Sequence, residues 1–263
     1  MTRFQVPDGL RGRLITPKPA WARTGEPVTD PVLWITDDLL RDQEAGRLWA
    51  DLLTRHRESG LWPLLLGNGG DHVTPWHAGD LAPVPSSWAD ELDVEGELSK
   101  TWGKERVFWR QFEEEPPPFD EWPGLARAGE QGPDPDRRAF ELATTPSGIR
   151  RLLTGTDHSP FLGLVPARDG AETIIAVGWS SAAGGARATV VLRSWQERFG
   201  VRLCSLGPDT LNVTVAWPPR TLEHARHVAV EHYAFCPDLR QDNDFEEYAA
   251  EIVDAPVWSF WWD

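Results

Sequence analysis

His224, His227 and Glu231 stand at positions i, i+3 and i+7 of the segment TLEHARHVAVEHYAF (221–235). On a helix that spacing gathers two imidazoles and a carboxylate on one side, the donor set of a zinc-type site. Leu222, Ala225, Ala229 and Tyr233 mark the other side as apolar, so the competing reading is a solvated polar face that holds no ion. His232 falls nearer the apolar side, where a hydrogen-bonded core imidazole is expected. A second donor set, Asp71, His72, His77 and Asp80, lies in GNGGDHVTPWHAGDLAPVPSS (67–87). Gly and Pro make this run a loop, and loops carry function more often than cores do. Four polar residues in ten is also ordinary loop composition. His72, His77, His224, His227 and Glu231 are therefore weak metal candidates, and no metal or other cofactor is expected.

Two nucleophile types occur in suggestive places. Gly178-Trp179-Ser180-Ser181-Ala182 approaches the G-x-S-x-G elbow of serine hydrolases, with Ala182 replacing the last glycine. Only residues 183–263 follow, little chain for the acid and histidine that such a serine needs. The same turn opens a helix, where Ser180, Ser181 and Arg187 would help to cradle an anion; a plain turn is the simpler reading. Cys236 follows a helix C-terminus, where the dipole disfavours a thiolate. Between Phe235 and Pro237 it reads as a buried structural thiol, with Asp238 bonding the amides of the turn. With Cys204 as the second of two cysteines, no disulfide framework or four-cysteine zinc site is possible, and both thiols are expected free.

These residues need a scaffold, and the composition supplies one. The chain has 263 residues, is 40% hydrophobic and carries fifteen Trp, enough for a sizeable core. No run approaches the length of a membrane span, and the first residues lack the apolar core of a signal peptide. A soluble cytoplasmic protein is expected, with no membrane partner. The formal net charge is −15 with no local basic patch, which argues against nucleic acid; the charge serves solubility in the plainer reading and attraction to a cationic partner in the other.

Hydrophobic patterning places the elements. Val32–Ile35 reads as a strand, Thr36 as the cap of a helix ended by Gly60, and Trp62–Leu66 as a second strand. A helix is expected from about Trp88 to Trp102 and a strand at RVFWRQF (106–112). The acidic, proline-rich stretch 113–136 reads as a linker or long surface loop. From Thr173 on, TIIAVGW reads as a strand, ARATVVLRSWQERFG as a helix, VRLCSL and TLNVTVAW as a hairpin, two further helices follow, and VWSFWW is the final strand. That β-α-β-β-α-α-β order fits a ferredoxin-like plait, with the last strand paired to the first. The fold class is then α+β: a Trp-rich α/β region (1–112), the acidic stretch (113–136), a connecting segment (137–172) and the ferredoxin-like domain (173–263). Asn212 and Thr214 would share a polar face left open to solvent or a ligand. Trp258, Phe260 and Trp262 share one face of the final strand and Val257, Ser259 and Trp261 the other. The Trp-rich N-terminal region is expected to cover the apolar face that the helices leave. On that plan Trp261→Ala lowers the melting midpoint whichever face it occupies.

EHYAFCPD (231–238) and APVWSFWWD (255–263) resemble a bacterial family known as domain of unknown function 4253, whose members carry a Phe-Cys-Pro-Asp turn after a helix and a WWD-type tail. Cys236, Pro237, Asp238, Trp258, Trp261 and Trp262 are the residues that match. VLRSWQERFG (191–200), GLWPLLLG (60–67) and WHAGDLAPVP (76–85) look like actinobacterial members. The resemblance covers most of the chain and is most specific over 173–263. Members continue the FCPD turn with a Trp-Gln-Gly-like run where this chain has LRQDNDFEEY, and carry Asn and His where it has SSAAGG. The resemblance implies architecture more than activity. From charge, the expected function is a non-enzymatic interaction module, in one form an immunity- or antitoxin-like protein that neutralises a basic partner. The alternative is a small-molecule or metal-dependent enzyme using the 67–85 loop and the 178–187 turn.

Overall fold

Residues 170–177 show why buried segments are hard to read. In the computed structural model this run, GAETIIAV, is a helix, although TIIAVGW reads as a strand. Burial on all sides removes the polar stripe that marks a helix. The punctuation decides: Asp169 accepts from the Glu172 N–H as N-cap, and Gly178 ends the helix at φ 69°. A Cβ at Gly178 would also meet the Ala82 carbonyl carbon at 2.0 Å, so only glycine allows that approach.

The structure describes residues 4, 6, 8–67, 75–112, 119–155, 159–179, 184–242 and 244–263. In the first part the elements are β1 (Gly12–Ile15), β2 (Leu33–Thr36), α1 (Asp42–Ser59), β3 (Leu61–Leu66), α2 (Pro75–Ala78), α3 (Ser87–Asp90), α4 (Val94–Phe112), α5 (Pro135–Ala143) and α6 (Pro146–Leu152). They continue as β4 (Phe161–Pro166), α7 (Gly170–Val177), α8 (Gly185–Phe199), β5 (Arg202–Leu206), β6 (Thr210–Thr214), α9 (Leu222–Phe235), α10 (Leu239–Asp242), α11 (Phe245–Glu251) and β7 (Val257–Trp261). The protein is thus a mixed α+β fold.

The seven strands form one mixed sheet in the order β1-β2-β4-β3-β5-β6-β7. Pairing is antiparallel except between β3 and β5. Segments 1–112, 137–172 and 173–263 all contribute strands to this sheet. The ferredoxin-like plait needed 173–179 as a strand beside the last one. Instead, among the described residues, β7 pairs only with β6 and forms an edge. RVFWRQF is likewise the last two turns of α4 and not a strand. Thr36 caps nothing: it ends β2, its hydroxyl accepts from the Leu162 N–H at 3.1 Å, and α1 starts six residues later without a side-chain cap.

The tryptophans explain the core. Trp49, Trp62, Trp76, Trp102, Trp195 and Trp258 are fully buried. Burying an indole leaves an N–H in need of an acceptor. Trp49 donates to the Pro63 carbonyl (2.9 Å), Trp62 to that of Leu203 (3.0 Å), Trp76 to that of Gly67 (3.1 Å) and Trp179 to that of Gly207 (2.8 Å). Trp49, Trp76 and Trp179 tie a helix or loop to a strand or its end, and Trp62 joins β3 to β5. Trp258, Phe260 and Trp262 face α8 and α9. Trp262 packs on Trp179 (5.5 Å between ring centroids) and Phe235 (5.3 Å), so the C-terminal helices cover this face and not the N-terminal region.

Candidate functional site: a groove at the free edge of the last strand

The structure gives each of the weak metal candidates on α9 a different partner. α9 is surrounded, so the trio is not a solvated face either. His224 is 7% exposed, and its Nε2 meets the Arg127 carbonyl at 2.8 Å. His227 bonds the Glu223 carbonyl through Nδ1 and packs on Phe119. Glu231 is fully buried and holds Arg198 in a two-pronged ion pair, both contacts at 2.7 Å. It also accepts from the Trp195 indole (2.8 Å) and the Ala126 N–H (2.7 Å). That last bond straps the proline-rich stretch onto α8 and α9, and Arg198 adds a bond to the Ala126 carbonyl. Among the described residues no three His, Cys, Asp or Glu side chains converge to hold a metal.

The loop candidates are also engaged elsewhere. His77 Nε2 meets the Thr36 carbonyl at 3.1 Å, and its ring packs edge-on against Phe161. Asp80 accepts from Lys18 and from the Trp21 indole. Asp71 and His72 lie outside the described residues, as do Ser180 and Ser181. Arg187 is bonded to α9 and α4. It donates to the Ala234 and Phe235 carbonyls at the end of α9 and to the Thr101 hydroxyl. A cation on the last carbonyls of a helix complements its dipole.

Asn212 and Thr214 do share a face of β6, but that face is not open: each is 1% exposed. The register places Ser205 and Ser259 on either side of Asn212. Its Nδ2 donates to the Ser205 hydroxyl (2.8 Å) and the Thr154 carbonyl (3.0 Å), and the residues after α6 close over it. Among the described residues Asn212 Oδ1, Thr210 Oγ1 and Thr214 Oγ1 have no hydrogen-bond partner. A floor of buried, unpaired oxygens is costly unless something else supplies donors.

The two motif segments meet at β7. The Cys236 thiol donates to the Trp261 carbonyl (2.9 Å), and burial is the main force pushing that thiol up to about 12. Burial likewise raises Cys204, and both cysteines are free. Asp238 accepts from the Asp263 N–H (3.3 Å) and the Gln241 side-chain amide (3.0 Å). The FCPD turn thus holds the end of the tail strand.

Beside this clamp runs a groove of about 450 Å³. One wall is the outer edge of β7; the other comes from α10 and α11, with Leu239, Tyr248, Glu251 and Ile252. Thr154, Gly155, Thr210 and Asn212 close one end. Val215 N–H donates to the Pro256 carbonyl (2.8 Å) and Trp262 N–H to the Asp209 carbonyl (3.0 Å). Backbone groups alternate sides along a strand, so those of 256, 258, 260 and 262 face β6 and those of 257, 259 and 261 face outward. Among the described residues nothing bonds the outward groups of Val257 and Ser259. Asp238 and Glu251 line the groove, and among the described residues no Lys or Arg does. Sequence reasoning missed Glu251, Tyr248 and Ser259. The only signal was the lone serine in the alternation VWSFW, and it says nothing about which edge is free.

Under the groove His232 shares a hydrogen bond with the Tyr248 hydroxyl at 2.8 Å, within rings from Trp195, Trp258 and Phe260. It is the hydrogen-bonded core imidazole expected. Burial first, and then the Arg198 charge, hold it well below the ordinary imidazole range. The unfolded chain therefore binds this proton first as pH falls. Stability from His232 is complete above about pH 6.5 and declines as pH drops further, by at most about 1.4 kcal/mol per pH unit for one proton. His56, His77 and His224 are lowered by burial in the same direction. Urea denaturation at a series of pH values between about 7.5 and 5 should show this acid loss, and His232→Gln should flatten it. An unchanged slope in the variant would contradict the buried neutral imidazole.

Residues 161–263 match the family described as Domain of unknown function (DUF4253). The match runs from β4 to the tail, and the FCPD turn and WWD tail fall inside it. No curated protein and no solved structure matches the chain. Among the described residues no helix is long and apolar enough to cross a membrane.

Proposed function

We propose that the protein is a cytoplasmic, non-enzymatic binding module that captures a basic protein partner in the β7 groove. The observation that carries this is the groove itself: a concave site with exposed strand backbone, lined by Asp238 and Glu251 and by no cation, on a chain of net charge −15. Such a field draws in and orients a cationic partner. Immunity- or antitoxin-like neutralisation is the form of this activity that the charge supports. The enzyme alternative rests on the 67–85 loop and the 178–187 turn, where His77, Asp80 and Arg187 are bonded to neighbours.

The test is calorimetric titration with the acetylated hexapeptide Lys-Val-Lys-Thr-Lys-Val. Binding should weaken about tenfold between roughly 50 and 500 mM salt, as screening predicts. The double variant Asp238→Asn, Glu251→Gln should weaken it at low salt, and the matching glutamate peptide should not bind. Equal binding of the acidic peptide would contradict the proposal.

A further inference from the structure

The groove has a wall that few clefts have, the unpaired edge of a strand. Edge strands are normally shielded by proline, charge, bulges or covering chain, because their free N–H and C=O groups template another strand. On β7 the shielding is partial. The Cys236 thiol occupies the Trp261 carbonyl, Asp238 holds the next turn of the tail, and Pro256 precedes the strand. Between them Val257 and Ser259 present outward amides and carbonyls that no described residue bonds. The open stretch is short and has a defined length.

We propose that an extended, lysine- or arginine-bearing segment of the partner adds as an eighth strand to this edge, pairing its backbone with the outward groups of Val257 and Ser259. This rests on the basic-partner reading and adds its mode. In strand addition, backbone hydrogen bonds give affinity and alternate side chains give selectivity. Side chains of the added strand alternate between two environments. One set turns toward Tyr248, Glu251 and Asp238, where ammonium or guanidinium groups find carboxylates. The other set turns toward Asn212 and Thr210, whose buried oxygens lack donors.

Charge selects the occupant. A second copy of this chain, paired edge to edge, would bring Asp238, Glu251 and Asp263 against their equivalents, each chain carrying −15. Like charges placed directly opposite destabilise a strand pair. A basic segment relieves the same field.

Backbone N-methylation separates strand pairing from charge. The hexapeptide above and a version N-methylated at every second residue carry the same charge. Strand addition predicts that methylation weakens binding about tenfold or more, as expected for losing one or two hydrogen bonds. Ser259→Pro should do the same, because the lost N–H points away from β6 and the β6–β7 ladder does not use it. If the methylated peptide binds as well as the plain one, strand addition is wrong while the basic-partner reading stands. If neither peptide binds at low salt, both are wrong. Should Ser259→Pro fail to fold, the methylated peptide alone decides. A dimer of the free protein in sedimentation, dissolved by Ser259→Pro, would assign the edge to a second copy and overturn the proposal.

Discussion

Trp258→Ala is expected to cost about 3–5 kcal/mol, the range for emptying a buried aromatic site. Trp258 is 2% exposed and packs against His232 (4.4 Å between ring centroids), Phe199 (5.3 Å) and Trp195 (5.6 Å). Those rings belong to α8 and α9 and cannot close the space without moving two helices. Trp261, two places on from Ser259, faces the other way and is 38% exposed. Its truncation should cost only about 1 kcal/mol, because much of its surface is already in water. The expectation that Trp261 would matter on either face assumed that both faces of the last strand are covered along its length; on this one Val257 and Ser259 are half-buried and Trp261 is exposed. Asp263→Asn should be nearly silent, since the bond to Asp238 uses its backbone amide. Urea midpoints for the three variants should fall in that order. Equal losses at Trp258 and Trp261 would refute the assignment of faces.

Glu231→Leu is expected to be at least as damaging. The carboxylate is fully buried, and its partner Arg198 is 15% exposed. Removing one member of a buried pair leaves the other charge unpaired, at about 3–5 kcal/mol. Here the change also orphans the Trp195 indole N–H and the Ala126 amide. The exposed pair Arg226–Glu246, at 42% and 50% exposure, is the control. Arg226→Met should stay within about 1 kcal/mol of the parent, as surface ion pairs do. Denaturation curves that place the two variants together would show that Glu231 is not the strap for the 119–134 segment.

Local signals in the sequence carried further than global ones. Gly60, Gly200 and Thr221 mark helix ends because a left-handed glycine or a capping hydroxyl acts through a few neighbouring residues. The hairpin of β5 and β6 and the alternation in the tail were legible for the same reason. Residues 170–177 were not, since TIIAV packs apolar residues side by side and leaves no period to read. Strand order was not legible either: the β3–β5 pairing joins residues about 140 positions apart through no local pattern. Glu231 looked like a ligand because helical spacing records what lies on one side of α9, while Arg198 and Ala126 come from elsewhere in the chain. The groove escaped notice because a free strand edge is a property of the whole sheet.

Amide hydrogen exchange of the full chain, with and without the basic hexapeptide at low salt, tests the binding claim most directly. A strand added to β7 predicts new protection at the Ser259 amide and its neighbours in 257–261. Slower exchange should follow around Tyr248 and Glu251, with no change in β1 or α1. No protection in 257–261 under saturating peptide, or protection centred on another edge or surface, would contradict it.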